Sequence, residues 1–555
     1  MQFTRAVRPI SLLILVAATV VVAPAAAQEH RNGVVVAVSA PGAEAGLAIL
    51  KQGGNAVDAA ITTAFAMAVT HPAAGNIGGG GFMVVHPAKG EPVVIEYRET
   101  APAAATKTMF KKGESPYTHR VVGVPGTVRG MALAHQKFGK LPWKTLVLPA
   151  VELAEKGYLL DKHHANSLNN ILAASKAFPE FQRVFARPDK TAWKPGDRHV
   201  QPDLANTLRL IADKGPDAFY TGAIADQIVA EMKAGGGLIT KDDLAGYKAM
   251  ERQPIRGMYR GYDVIGPPPP SSGGTCLVQM LNTLENFDLK KYDRYSPQTL
   301  HLMTEAMRRA YYDRARYLGD PGFTKIPTHL TTKEYARDLA KSIDLSKATR
   351  SDAFKDIPLA PEGDSTTHFS VIDKDGFAVS NTYTLEHGYG SRIVVKGAGF
   401  LLNNEMTDFN WRPGVTNRAG AIGTEPNTIA PGKRMLSSQT PTILAKNGKV
   451  VLVTGSPGGR TIINTVLNVV VNVVDYEMPI QQAVDAPRMH HQWFPDELKF
   501  EGTKQHAQTV AQLKAMGHSV SFSRQGDAHS IWVNPKTGGF IGAADKRLSG
   551  KVAGY

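Results

Sequence analysis

Between Pro41 and Thr70 the apolar positions recur at helical spacing. AEAGLAILKQ runs into Gly53-Gly54, a helix stop, and Asn55 follows as an N-cap. AVDAAITTAFAMAV is apolar on every face, which predicts a buried helix. PAAGNIGGGGFMVVHP then predicts a glycine-rich loop entering a strand, and EPVVIEYRET a further strand ending in Arg98-Glu99. Residues 140–260 predict helices alternating with turns, LPWKTLVLPAVELAEKGY among them. GPPPPSSGGT excludes helix and central strand, leaving an interdomain linker or, the better fit, a rigid loop before the helical LVQMLNTLENF. Residues 296–345 are helical again, most clearly over HLMTEAMRRAYYDRARYLG.

After about residue 350 the pattern changes. SDAFKDIPLAPEGDS has no period and reads as exposed, mobile loop. Two-residue alternation then dominates: HFSVIDKDGFAVSNTYTL, GFLLNNE, TPTILAKNGKVVLVTG and HSIWVNPKTGGFIGAAD read as strands, with hairpin signals at DKDG, AKNGK and PKTGG. IINTVLNVVVNVVDY reads as a core helix. Helices first and hairpins second predict an α+β fold, layered αββα.

Composition narrows the picture. With 555 residues, 43% of them hydrophobic and 20% charged, the chain is globular and holds one large or two average domains. Its first 27 residues read as a secretory signal peptide: Arg5 and Arg8, an apolar run from Ser11 to Ala23, then Ala25-Ala26-Ala27. The run is short of the roughly 20 residues of a spanning helix. An exported chain beginning near Gln28, periplasmic or secreted and with no membrane anchor, is therefore expected. Its one cysteine, Cys276, excludes an internal disulfide and reads as a core thiol. The net charge of +14 falls to about +12 without Arg5 and Arg8, and no block of like charges points to nucleic acid.

Candidate chemistry sits at Thr366. A three-residue loop centred on Asp375, with Gly376 left-handed, pairs His368 with Thr382, Ser370 with Ser380 and Ile372 with Ala378. Thr366 then faces Thr384, and Phe369, Val371, Val379 and Tyr383 share the opposite face. A threonine hydroxyl needs a base. A cut before Thr366 would free an α-amine whose ordinary pKa, roughly 7.7–8.0, suits that task. On these residues alone, a purely structural threonine-rich strand fits as well.

DSTTHFSVIDKDGFAVSNTYTLEHGYG resembles the small-subunit start of the γ-glutamyltransferases (γ-glutamyltranspeptidases, glutathione hydrolases), an Ntn-hydrolase family. GGNAVDAA, GNIGGGGFMVVH, EYRETAP, GVPGTVRG and PPPPSSGGT resemble the large subunit. LLNNEMTDF, KRMLSSQTPTI, TGSPGGR, DAPRMHHQW and the terminal AGY resemble the small one. The resemblance implies a four-layer αββα sandwich built from one precursor that cleaves itself at Ser365-Thr366. Residues 28–365 would form a large subunit and residues 366–555 a small one, paired as a heterodimer in one globular unit.

The same resemblance implies the site. Thr366 is the nucleophile, supported by Thr384, and Gly458 and Gly459 offer backbone N–H groups to the oxyanion. Arg98, with Ser437 and Ser438, receives the substrate α-carboxylate. Glu405, Asp408 and Glu386 receive its α-ammonium. Donors are glutathione and related γ-glutamyl compounds, and acceptors are water, amino acids or peptides. Neither a cofactor nor a metal is implied. Neighbouring His490 and His491 invite a metal reading, but no further ligand spacing supports it.

Two departures stand out. WRPGVTNRAGAIGTEPN, residues 411–427, has the length of the family's lid loop, with Ala419 where a tyrosine is expected. Phe377 replaces a commoner small polar residue, which predicts a packing change. Alternative functions are an Ntn acylase of other specificity, such as a cephalosporin or glutaryl acylase or a poly-γ-glutamate depolymerase, and a non-catalytic exported binding protein.

Overall fold

The computed structural model describes residues 28–354 and 366–555. The segment read as a signal peptide and Ser365 lie outside the described residues, as does most of the stretch read as loop before Thr366.

Two seven-stranded sheets stack face to face, each covered by helices on its outer side. The strand Gly33–Ala37 shows why. Its alternation sends Val34 and Val36 between the sheets and Val35 and Ala37 to the helical layer. Such a strand is apolar on both faces because both are covered. The inter-sheet layer also takes Phe82 and Val84 from one sheet and Ile443, Val453 and Ile531 from the other. The expected αββα layering is the observed one.

Both sheets interleave strands from either side of residue 365. The first runs Lys551–Gly554, Gly33–Ala37, Thr367–Asp373, Ala378–Thr384, Gly80–His86, Val93–Glu96, Met250–Arg252. In it Phe369 pairs with Ala37 and Thr382 with Phe82. The second runs Glu29–His30, Phe540–Ala544, His529–Val533, Lys449–Thr454, Thr442–Lys446, Tyr262–Gly266, Ile255–Tyr259.

The helix signals hold. Helices span Ala40–Lys51 and Ala56–Thr70. Asn55 Oδ1 accepts the Asp58 N–H and Asp58 Oδ2 accepts the Asn55 N–H, both at 3.0 Å, a reciprocal cap. Every residue from Ala56 to Thr70 is buried. Helices also span Trp143–Lys156, Gly273–Leu284, Pro297–Tyr317 and Thr461–Val474. Among the described residues no helix is long and apolar enough to cross a membrane. Cys276 is buried, and burial pushes its thiol up to about 12, so it is inert.

Three expectations are corrected. The strand after Glu91 ends at Glu96, short of Arg98-Glu99, although Tyr97 still donates its N–H to Gly81 O. Residues 250–260, read as helix and turn, instead belong to three strands that continue to residue 266, Met250–Arg252, Ile255–Tyr259 and Tyr262–Gly266. GFLLNNE is irregular chain with a single isolated bridge, Val394 to Leu401, held by scattered backbone bonds such as Asn403 N–H to Gly78 O and by its side-chain amides rather than by a ladder. GPPPPSSGGT is the rigid loop: Pro270 O accepts the Ser437 N–H and Ser437 O accepts the Ser272 N–H, both at 2.8 Å.

Candidate active site

The hairpin places the first threonine. His368 pairs with Thr382, Ser370 with Ser380 and Ile372 with Ala378, the register expected from a loop centred on Asp375. Gly376 closes that loop at φ +79°. Phe369, Val371, Val379 and Tyr383 pack into the helical layer, fixing which way the other face points. At the open end Thr366 is buried and donates its hydroxyl to Thr384 Oγ1 at 3.3 Å. Thr384 Oγ1 also accepts the Glu386 N–H at 2.8 Å, and Thr384 O accepts from Asn76 Nδ2 at 2.8 Å. Burial holds His368 well below the ordinary imidazole range. Its ring nitrogens meet Thr382 and Ser370 rather than Thr366.

The second sheet supplies the glycine loop. Gly455 leaves the strand Lys449–Thr454 against the His368 ring, so the loop 455–459 starts beside the open end of the hairpin. Gly458 and Gly459 have φ of +127° and +54°. A Cβ on Gly458 would meet Thr461 Oγ1 at 2.5 Å. Neither N–H finds an acceptor among the described residues. Both precede the helix Thr461–Val474, whose N-terminal dipole favours negative charge.

Acids converge on Arg98, which is wholly buried. Its Nη1 meets Glu405 at 2.6 Å and Glu99 at 3.5 Å, its Nη2 donates to Asp408, and its Nε donates to Met435 O at 3.3 Å. Glu386, Glu405 and Asp408 each bring a carboxylate oxygen within 4.8 Å of the others. Glu386 reaches this cluster from a left-handed backbone, φ +77°, a conformation costing about 1–3 kcal/mol that the surrounding bonds must hold. Burial would lower the Arg98 pKa, but Glu405, Asp408 and Glu99 outweigh it and raise it. Burial pushes Glu405 well above the usual carboxylate range against the pull of Arg98, and pushes Glu99 to about 8. An unbalanced group of acids around one guanidinium favours an incoming ammonium.

Ser437 and Ser438 are buried beside the proline loop. Ser438 Oγ accepts from Arg314 Nη2 at 3.0 Å, and Arg314 Nε also donates to Ser272 Oγ at 2.9 Å. Arg314 is one residue the sequence reading missed. Asn403 is another. Its Nδ2 donates to Gly78 O and Gly123 O, and its Oδ1 accepts the N–H groups of Gly123 and Glu405. Asn76 is the third, tying the Gly79 N–H and the Thr127 hydroxyl to the end of the strand at Thr384. The repeated Asn in LLNNE and the Asn inside GNIGGGG were the available signals.

His490 and His491 turn to different partners. His490 Nε2 meets Gln492 Oε1 at 2.8 Å and its Nδ1 accepts from Asn464, whereas His491 Nε2 meets Asp496 at 3.2 Å. Phe377 packs edge-on against Phe138, ring centres 5.9 Å apart. In loop 411–427, Ala419 is exposed, and the loop is pinned at its base by Asn410 N–H to Asn427 O, 2.9 Å.

A family model described as gamma-glutamyltranspeptidase matches residues 42–555. The chain is 47% identical over 538 residues to the glutathione hydrolase proenzyme of Escherichia coli (strain K12), covering 95% of this chain and 92% of that protein. It is 43% identical over 546 residues to the glutathione hydrolase proenzyme of Pseudomonas sp. (strain A14), covering 94% of each. Among solved structures, the cephalosporin acylase from Bacillus halodurans superposes with a TM-score of 0.86 at 29% identity, covering 98% of this chain and 99% of that one.

Proposed function

The chain belongs to the γ-glutamyltranspeptidase family, and from that premise we infer an Ntn-type enzyme that is a glutathione hydrolase and γ-glutamyltransferase. The observation that carries the mechanism is the Thr366 hydroxyl held on Thr384, on the hairpin whose His368 ring the glycine loop 455–459 starts against.

The precursor cuts itself between Ser365 and Thr366, leaving residues 28–365 and 366–555 as subunits that stay together. The freed α-amine of Thr366 is the base. It takes the hydroxyl proton as Oγ1 attacks the γ-carbonyl, and the N–H groups of Gly458 and Gly459 take the charge of the tetrahedral oxyanion. The departing amine collects the proton, leaving a γ-glutamyl ester on Thr366. Water then releases glutamate, or the amine of an amino acid or peptide takes the acyl group.

The α-carbon end of the substrate is a zwitterion, and it enters an ion-pair cluster of the same pattern. Its carboxylate replaces an acid on Arg98, with Ser437 and Ser438 as further donors. Its ammonium takes the acid so released, among Glu405, Asp408 and Glu386. The exchange preserves the local charge balance, which keeps the desolvation cost low. Arg98 therefore has two functions: it binds the carboxylate and keeps the acids in place. The acidic α-ammonium site favours a free γ-glutamyl group over the acylase alternatives. Export through the segment 1–27 remains part of this reading and places the enzyme in a periplasm or outside the cell.

Incubating the purified protein with glutathione and measuring glutamate release tests the reading. Activity that disappears in Thr366→Ala supports it. Full activity in that variant sinks it.

A further inference from the structure

In the second sheet Lys449–Thr454 and His529–Val533 pair antiparallel, Leu452 with Trp532 and Val453 with Ile531. Thr454 Oγ1 meets Ser530 Oγ at 2.8 Å in the next rung. Carried past the strand ends at the same register, Ser456 falls opposite Ala528 and Gly458 opposite Gly526. The glycine loop 455–459 therefore runs beside the turn Gln525–Ala528.

The two segments are in close contact. Gly526 is left-handed, φ +57°. A Cβ on it would come within 2.5 Å of Ser456 Oγ and 2.6 Å of Thr465 Oγ1. A Cβ on Gly458 would come within 3.4 Å of Gly526 Cα. Ser456 Oγ accepts the Asp527 N–H at 2.9 Å and donates to Pro457 O at 2.7 Å. Pro457 O and the Gly458 N–H belong to one planar peptide group, so holding the first aims the second.

Buried charge fixes the turn from behind. Glu501 Oε1 accepts the Gln525 N–H and Arg488 Nη1 donates to Gln525 O, both at 2.8 Å. Asp545 Oδ2 accepts the Ala528 N–H at 2.7 Å and pairs with Arg488 Nη2. Arg488 and Asp545 are both buried.

We propose that the turn Gln525–Ala528 is the template of the oxyanion loop, with Gly526 and Ser456 as positioning residues that set where the Gly458 N–H points. A donor to an oxyanion is effective when it is fixed in advance, about 2.7–3.1 Å from where the charged oxygen will sit. Two successive glycines are the freest backbone that could carry such donors, so their direction has to be imposed from outside. Gly526 and Ser456 act through the loop, by packing and by the bond to Pro457 O. The inference rests on the oxyanion role given above to the glycine pair and adds what holds that pair in place.

The test separates binding of the ground state from binding of the tetrahedral state. Its probes are L-glutamate and the analogue with a boronic acid in place of the γ-carboxyl, whose boron bonds to Thr366 Oγ1 and puts an oxygen at the oxyanion position. Gly526→Ala displaces Ser456, and kcat for γ-glutamyl-p-nitroanilide is expected to fall about 100-fold, the size of one lost oxyanion donor, with KM unchanged. Ser456→Ala removes the bond without adding bulk and costs about tenfold in kcat. In both variants affinity for the boronate falls in step with kcat while affinity for glutamate stays, which also shows that they fold. Rates are counted per cleaved chain, so slow maturation does not enter. If Gly526→Ala fails to fold or cleave, Ser456→Ala decides. An unchanged kcat, or equal losses for glutamate and boronate, overturns the template. A wild-type enzyme that binds the boronate no more tightly than glutamate overturns the oxyanion role of the glycine pair, and the template with it.

Discussion

Thr366 and Thr384 meet at the open end of one hairpin, hydroxyl to hydroxyl at 3.3 Å, with the Glu386 N–H on the same Thr384 oxygen. That contact orients the Thr366 hydroxyl, whose direction otherwise rests on a freely rotating bond. Thr384→Ala is expected to lower kcat about 100-fold, as misplacing a reacting atom does. Thr384→Ser keeps the oxygen and restores most of the rate. Steady-state kinetics on a γ-glutamyl anilide decide, and an alanine variant with unchanged kcat removes Thr384 from the mechanism.

Glu99, pushed by burial to about 8, is largely protonated at pH 7. Glu99 shares Arg98 Nη1 with Glu405, so an ammonium entering at Glu405 favours the Glu99 carboxylate as well and lowers that value, and binding glutamate releases protons. The sign follows: affinity for glutamate rises as pH climbs toward 8. Calorimetry at pH 7 in buffers of different ionisation enthalpy reads the proton count directly. Proton uptake contradicts the assignment.

Asn403 satisfies four backbone groups from three segments. Asn403→Ala leaves buried donors and acceptors unmatched and is expected to cost about 3 kcal/mol. Denaturant unfolding measures it. A loss confined to activity, at full stability, means that Asn403 serves the Glu405 loop alone.

Strands from both sides of residue 365 share each of the two sheets. Large and small subunits are therefore expected to co-elute after cleavage and to part only in denaturant. Separation by dilution alone excludes the interleaved arrangement.

Much of this was legible in the sequence because it is local. The Asn55 cap, the all-apolar helix after it and the hairpin register depend on residues a few positions apart. The strands at 250–266 were not legible. MERQPIRGMYRGYDVIG carries charges and glycines where alternation is expected, since its first two strands lie at sheet edges and stay partly exposed. At the site, residue types marked the participants but not their pairing. Nothing in EYRET reveals that Arg98 lies against Glu405 and Asp408, over 300 positions away. Arg314 looked like one more charge on a long helix, and only the fold brings it to Ser438.

The strand Lys551–Gly554 lies along Gly33–Ala37, and Tyr555 O accepts the N–H groups of Arg31 and Asn32 at 3.1 and 2.9 Å. The polypeptide is thus nearly a closed ring, which the proposed cut before Thr366 would open. A rearranged gene beginning at Thr366, running through Tyr555 and a short linker into Glu29 and stopping near Phe354, would make the enzyme as one continuous chain. Removal of the initiator methionine would then expose the Thr366 amine without any self-cleavage. Such a permutant, active from the ribosome onward, would separate the chemistry of maturation from the chemistry of turnover.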